Sequence, residues 1–328
     1  MGEWSLIDTI FKIIRKNEKI ALPYGDDAVA IPFKNQILVI NTDMLVESTD
    51  IPPGMTMKQV GNKTVVMCIS DLVAKGAKPI GLMFALGLPS KMRIEEFQQL
   101  INGLNDSANK YDTYILGGDI NEAKELIIAG TAIGITKRVV SRNGAKIGDI
   151  VAVTGEFGNT AAGLKILLDK IKVPRKLERE ILKSVYEPEI KLKEILTLIN
   201  SRAISASIDS SDGLATSLHE IAEKSKVGFK IWKMPISKIA TKFAEITGID
   251  PFELTFYGGE EYHLIVTIQR EKIEEVMKTT RKIGGKIIPI GEVIKERKII
   301  FVGKKEERII EKRGWEHFKL KIHGEGDS

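Results

Sequence analysis

Asp209 and Asp212 stand three positions apart in the stretch Ile208-Asp209-Ser210-Ser211-Asp212-Gly213-Leu214, with two hydroxyl side chains between them. Four further stretches set acids beside glycines or hydroxyl and amide groups: Gly25-Asp26-Asp27-Ala28, Asn41-Thr42-Asp43, Ser70-Asp71-Leu72 and Gly117-Gly118-Asp119. Carboxylates that meet at one site repel one another, and they stay ionised together only with cations between them. Oxygen donors of this kind favour magnesium or calcium over zinc. Glycines beside them let backbone N–H groups approach phosphate oxygens closely. The set therefore suggests metal-assisted phosphoryl chemistry. Taken singly, each Asp is better explained as a turn or helix cap, so the argument rests on their number.

Other chemistries are poorly supplied. The four histidines, His219, His263, His317 and His323, lack zinc-type spacing. There is no Gly-rich loop ending in Gly-Lys-Ser/Thr and no Gly-x-Ser-x-Gly turn, which excludes the usual P-loop and nucleophile-elbow architectures. The one cysteine, Cys68, lies in the apolar run Val65-Val66-Met67-Cys68-Ile69; it excludes an intramolecular disulfide and reads as a small buried hydrophobe. The net charge of +5 suits phosphate-bearing ligands, and no basic block is long or aromatic enough for nucleic acid. No apolar run reaches membrane-spanning length and no secretory pattern opens the chain. A cytoplasmic protein without membrane association is expected.

The acids need elements to hold them. Ser5 and Asp8 read as a capping box for a helix with Ile7, Ile10, Phe11 and Ile14 on one face. A strand at 37–41 ends at Thr42-Asp43, and a loop at 44–57 is broken by Pro52, Pro53 and Gly54. A helix at 57–76 carries Asp71, a strand follows at 81–88 and a helix at 94–110. A short strand at 114–116 delivers Gly117-Gly118-Asp119, and another runs over 126–135. After the turn-rich stretch 142–149, strands are expected at 150–154, 203–208, 228–232, 262–268, 287–290 and 299–302. Helices are expected near 160–168, over 172–201 with a break at Pro188, from Leu214 to a stop at Gly228, and over 271–283. With 328 residues and 43% hydrophobic composition, the chain reads as two domains, 1–140 and 141–328, of α/β (α+β) class.

These motifs occur in order with Gly76-Ala77-Lys78-Pro79, Gly258-Gly259-Glu260-Glu261-Tyr262 and Gly314-Trp315-Glu316-His317-Phe318. The ordered set resembles the thiamine-monophosphate kinase family, within the aminoimidazole ribonucleotide synthetase-like superfamily, over nearly the whole chain. The resemblance implies an N-terminal sheet domain that binds ATP and magnesium and dimerises, and a C-terminal α/β domain that completes the nucleotide and substrate site. It implies a homodimer that passes the ATP γ-phosphoryl group directly, in line, to thiamine monophosphate, the last step of thiamine diphosphate biosynthesis. Several magnesium ions would be held by Asp27, Asn41, Thr42, Asp43, Asp71, Asp119, Asp209 and Asp212. ATP, the co-substrate, would contact Tyr111, Gly118, Asp119, Arg142 and Ser211, and thiamine monophosphate would contact Asp50, Glu260 and Trp315. The acceptor is a phosphate oxygen already ionised near neutral pH, so no acid–base residue is implied.

Three departures from the family pattern stand out. Asp50, in Ser48-Thr49-Asp50-Ile51, replaces a histidine, Ile120 replaces a common threonine, and Glu261 replaces an aspartate. Same-fold alternatives fit less well. Selenophosphate synthetases need a reactive Cys or selenocysteine in a Gly-rich N-terminal segment. The hydrogenase-maturation relatives need a C-terminal cysteine, where this chain has Gly326-Asp327-Ser328. The purine synthetases differ in the Thr-Asp loop and the C-terminal motifs. A nucleotide-binding regulatory module would not require the whole acidic set.

Overall fold

Thr56 starts the longest described helix. Its hydroxyl accepts from the Gln59 N–H while the Gln59 side chain accepts from the Thr56 N–H, a reciprocal cap. Its middle, Val65-Val66-Met67-Cys68-Ile69, is a continuous apolar run, so the helix is sunk in the protein, with Val60, Val65, Val66, Ile69, Leu72 and Val73 all inaccessible.

The structure is a computed structural model and describes residues 2–304 and 307–315. Its first half runs α1 (Glu3–Ile13), β1 (Val29–Phe33), β2 (Gln36–Val46), α2 (Glu47–Asp50), α3 (Met57–Ala74), β3 (Lys78–Pro89), α4 (Ile94–Lys110), β4 (Ile115–Ala123) and β5 (Ile127–Thr136). Its second half runs β6 (Ile150–Val153), α5 (Asn159–Leu168), α6 (Arg175–Tyr186), α7 (Leu192–Asn200), β7 (Ile204–Ile208), α8 (Leu214–Ser225), β8 (Gly228–Ile231), α9 (Lys238–Thr247), α10 (Pro251–Phe256), β9 (Ile265–Ile268), α11 (Ile273–Lys282), β10 (Ile288–Ile294), β11 (Ile299–Val302) and β12 (Glu307–Ile309).

The first half builds a five-stranded sheet in the order β1-β2-β5-β3-β4, antiparallel except where β3 meets β4. Helix α3 covers one face of it and packs against α4. The two helices come close at Gly103, where a Cβ would lie 2.1 Å from the Lys58 carbonyl oxygen. On the opposite face Val29, Ile31, Phe33, Met44 and Met83 are exposed. The second half builds a seven-stranded sheet in the order β12-β11-β8-β10-β6-β9-β7, with α8 packed against β7, β8 and β9. A shared core joins the halves: Leu72 and Val73 of α3 belong to one buried cluster with Ile199, Ile204, Val266 and Ile268. Among the described residues no helix is long and apolar enough to cross a membrane.

Several expectations are corrected in detail. Helix α1 begins at Glu3 with Gly2 as its cap, so Ser5 and Asp8 lie inside it. Thr42 and Asp43 are mid-strand, because β2 continues to Val46; the polar run at 41–43 had masked the alternation of a long strand. Gly117, Gly118 and Asp119 likewise lie within β4. Helix α8 stops at Lys226, which takes the left-handed conformation (φ 58°), and Gly228 opens the next strand instead. Strand β9 starts at Ile265 rather than at Tyr262, and α9 and α10 had no counterpart in the sequence reading.

Candidate active site

Four separate elements deliver the acids. Asp26 and Asp27 lie in the turn before β1, Asp43 in mid-β2, Asp71 near the end of α3, and Asp209 just after β7. Asp27, Asp71 and Asp209 each present a carboxylate oxygen, and these three atoms lie within 4.8 Å of one another. Asn41 Nδ2 ties Asp43 into the group by donating to Asp43 Oδ2 and Asp71 Oδ2, each at 3.1 Å. Its Oδ1 is buried and has no hydrogen-bond partner among the described residues. Ser70 Oγ donates to Asp209 Oδ2 at 2.5 Å and fixes the orientation of that carboxylate.

The acids are costly to hold together. Burial, then the charge of Asp27, pushes the Asp209 carboxyl up to about 7, and burial pushes Asp43 up to about 6. Asp71 is raised well above the usual carboxylate range by burial and by Asp43, Asp209 and Asp27 around it. Asp26 behaves in the opposite way. Burial would raise it, but the ammonium of Lys75, with Ser141 and Arg142, holds it below its ordinary value.

Three cations here escaped the sequence reading or were read differently. Lys75, wholly buried, places its Nζ 2.7 Å from Asp26 Oδ1, from Asp27 Oδ2 and from the Ser207 carbonyl oxygen. Arg142, expected at ATP, pairs with Asp27 and with Glu220 of α8, and these partners raise its guanidinium pKa although burial works against the charge. Lys63 of α3 is also buried, with its Nζ 2.5 Å from Glu260 Oε1 and 2.7 Å from the Asp50 carbonyl oxygen. A signal was available: Lys63 and Lys75 flank the stretch 64–74, which is apolar but for Thr64, Ser70 and Asp71, and a lysine beside such a stretch needs partners.

A cleft of about 680 Å³ is lined by Asp27, Asn41, Thr42, Asp43, Asp71, Arg142, Asp209, Ser211 and Asp212, and on its far side by Ile7, Ile10 and Phe11 of α1. Asp119 and Gly118 line a different hollow, at the β4 edge of the sheet, together with Phe84 and Leu86 of β3 and Ile101 and Leu104 of α4. Pleating explains part of this separation. Asn41 and Asp43 alternate with Thr42 along β2, so Thr42 and Met44 face the open side of the sheet. Through the register Met44–Ala129–Ala85–Asp119, Asp119 shares that open side. One chain therefore does not gather all eight expected ligands on one face. Tyr111 is buried, and its hydroxyl accepts from the Ile190 N–H, which turns it into the core rather than toward the cleft.

The residues expected at the substrate lie beside the cleft. Asp50 turns its carboxylate inward: Oδ2 accepts from the Val46 N–H at 2.7 Å and from Thr49 Oγ1 at 3.0 Å. Glu260 adopts a positive φ of 61° and donates its N–H to the Ser211 carbonyl at 2.6 Å. Gly213 has φ 109°, and a Cβ there would lie 2.9 Å from the Gly258 carbonyl oxygen, so these two loops pack backbone to backbone. Trp315 is half exposed, and its N–H donates to the Asp212 carbonyl at 3.2 Å. Glu316, His317 and Phe318 lie outside the described residues. The converging donors are all oxygens, with repelling carboxylates and one orphaned buried amide oxygen. That set fits a hard divalent cation and suits neither zinc nor a redox metal.

Two family models match the chain: AIR synthase related protein, N-terminal domain, over residues 25–136, and AIR synthase related protein, C-terminal domain, over residues 146–304. The thiamine-monophosphate kinase of Nitrosopumilus maritimus is 34% identical over 310 residues, which is 94% of this chain and 97% of that protein. The thiamine-monophosphate kinase of Pyrococcus abyssi is 36% identical over 295 residues, 89% of this chain and 90% of that one. Among solved structures, AaThiL complexed with AMPPCP and TMP matches with a TM-score of 0.84 at 28% identity, covering 97% of each chain.

Proposed function

Because the chain belongs to the AIR synthase related family, and within it to the thiamine-monophosphate kinases, we propose that it transfers the γ-phosphoryl group of ATP directly to thiamine monophosphate, giving thiamine diphosphate and ADP. The observation that supports this reading is the convergence of Asp27, Asp71 and Asp209, from the turn before β1, helix α3 and the end of β7, to within 4.8 Å of one another. A structural role for each acid would not require three buried carboxylates to share a site.

Asp27, Asn41, Asp43, Asp71, Asp209 and Asp212 would hold magnesium at the cluster, and Thr42 would do so from the open side of the sheet, which it shares with Asp119. When bound, magnesium neutralises the phosphates of two mutually repelling substrates and the charge that develops between them. The protein's own groups do the rest. Asn41 and Ser70 orient the carboxylates; Lys75 and Arg142 hold the Asp26–Asp27 turn; Arg142 and Ser211 face the nucleotide side of the cleft. Glu260 and Trp315 offer a carboxylate and an aromatic ring to a cationic heterocycle. The acceptor oxygen arrives ionised, so the site needs no general base. Gly118 and Asp119 would act across a homodimer, in which the exposed apolar face of the five-stranded sheet is covered by a second copy.

The test is a product assay. Purified protein is incubated with ATP, magnesium and thiamine monophosphate, and the thiamine species are resolved by chromatography. Thiamine diphosphate is expected in amounts equal to ADP and only with magnesium. ADP without thiamine diphosphate would move the substrate elsewhere in the superfamily. No turnover with retained ATP binding would sink the kinase reading in favour of a regulatory module.

A further inference from the structure

Lys63 is one of the two largest fully buried polar side chains, and its position is not explained by packing. It projects from α3, in the first half of the chain, and meets the loop at Glu260, in the second. Its ammonium has three protons to donate. One goes to the Asp50 carbonyl oxygen at 2.7 Å and one to Glu260 Oε1 at 2.5 Å. The first bond anchors the ammonium to the turn α2, so the second reaches Glu260 from a fixed point.

Glu260 depends on that point. Its backbone is held in the left-handed region and hydrogen-bonded to Ser211, the neighbour of the acidic loop. A non-glycine residue kept in that conformation is strained and marks a position set by its surroundings. Its side chain, with three rotatable bonds, is held by Lys63 through Oε1, its one side-chain partner among the described residues. Oε2 is left for a ligand, and the side chain is 28% exposed. Asp71 follows Lys63 by eight residues on the same rigid helix, an axial separation of about 12 Å. One helix therefore carries both a member of the acidic cluster and the anchor of Glu260.

We propose that Lys63 is a positioning residue for the phosphoryl acceptor: it aims the Glu260 carboxylate at a cationic heterocycle whose phosphate lies at the acidic cluster. This rests on the reading of the site given above. Two effects compete when Lys63 is removed. Glu260 gains net negative charge, which would attract a cation, but solvent at a partly exposed carboxylate screens that gain. The carboxylate also loses its orientation, which is not screened and must be restored on binding. Orientation wins, and binding weakens.

The experiment measures steady-state kinetics for wild type, Lys63→Met, Lys63→Arg, Glu260→Gln and the Lys63→Met/Glu260→Gln double variant, with calorimetric binding of thiamine monophosphate alongside. Lys63→Met is expected to raise KM for thiamine monophosphate about tenfold or more, the loss of one charge-assisted hydrogen bond, with KM for ATP nearly unchanged. Lys63→Arg should recover most of the loss. In the Glu260→Gln background, Lys63→Met should cost less than in wild type, because the amide oxygen still accepts from Lys63 but without the charge that strengthens the bond. Equal rises in both KM values, or an undiminished effect in the Glu260→Gln background, would overturn the proposal. If wild type turns nothing over but binds thiamine monophosphate, the same pattern in the binding constants upholds the positioning role while the reaction fails. If wild type neither binds nor converts it, both fall.

Discussion

Asp71 is the residue on which most of the site converges, since Asn41 donates to it and both Asp27 and Asp209 approach it. Removing it opens the cluster without removing any apolar packing. Asp71→Ala is therefore expected to lower kcat by about a thousandfold or more, while far-UV circular dichroism and the thermal midpoint stay near wild type. Near-normal turnover at saturating magnesium would defeat the metal site. His263 gives a pH-dependent counterpart away from the acids. Burial, against the Glu156 carbonyl at 3.1 Å, pulls its imidazole down to about 4. Between that value and the ordinary 6.5 the unfolded chain binds the proton more tightly, so stability is full above pH 6.5 and is lost as pH falls. The loss should reach about 2 kcal/mol at pH 5 by linkage. The raised carboxyls of Asp43 and Asp209 act in the opposite sense over this range, so the His263 part is read as a difference: the urea midpoint of wild type should fall between pH 7 and 5 relative to that of His263→Gln.

At the scale of elements, the turn before β1 is tied down by ions as well as by the buried side chains of Leu22 and Ala28. Asp26 accepts from Lys75, from Ser141 Oγ at 2.6 Å and from the Arg142 N–H at 3.1 Å, which joins α3, the turn and the start of the second half. Lys75→Met keeps the volume but strands two buried carboxylates. A buried pair broken on one side costs about 3–5 kcal/mol, and denaturant unfolding should read a loss of that order, shrinking at low pH as the carboxylates protonate. An unchanged midpoint would mean that the turn is held by its backbone and apolar contacts alone. The helices carrying these groups were largely legible in the sequence. The expected span 94–110 matches α4, and α3 was placed to within two residues at its end. The strands were less so. Asn41, Thr42 and Asp43 look like the end of a strand because their side chains are polar, but a strand crossing a sheet with one open face can carry polar groups mid-way.

At the scale of the molecule, the five-stranded sheet leaves Ile31, Phe33, Met44 and Met83 exposed on its open face, and Asp119 lines a hollow apart from the cluster in its own chain. A second copy would cover the first feature and supply the second. Light scattering is expected to give twice the chain mass for wild type and one chain mass for Met44→Lys, with turnover lost in parallel. A monomeric wild type with full turnover would sink the shared site. The sequence by itself carried the chemistry and the family: the acids, glycines and their order are local features, and no folding is needed to list them. Helix spans were also readable, because their periodicity and caps lie within a few residues. Tertiary structure alone decided which acids meet. Pleating sends Thr42 and Asp43 to opposite faces, and a sheet register several strands wide carries Asp119 away. It alone also revealed Lys63 and Lys75 as partners of the acids and Glu220 as a partner of Arg142, because an ion pair spanning 197 positions leaves no periodic mark in the chain. Such pairs are set by where the two halves pack, and that follows from the shared apolar core rather than from any motif.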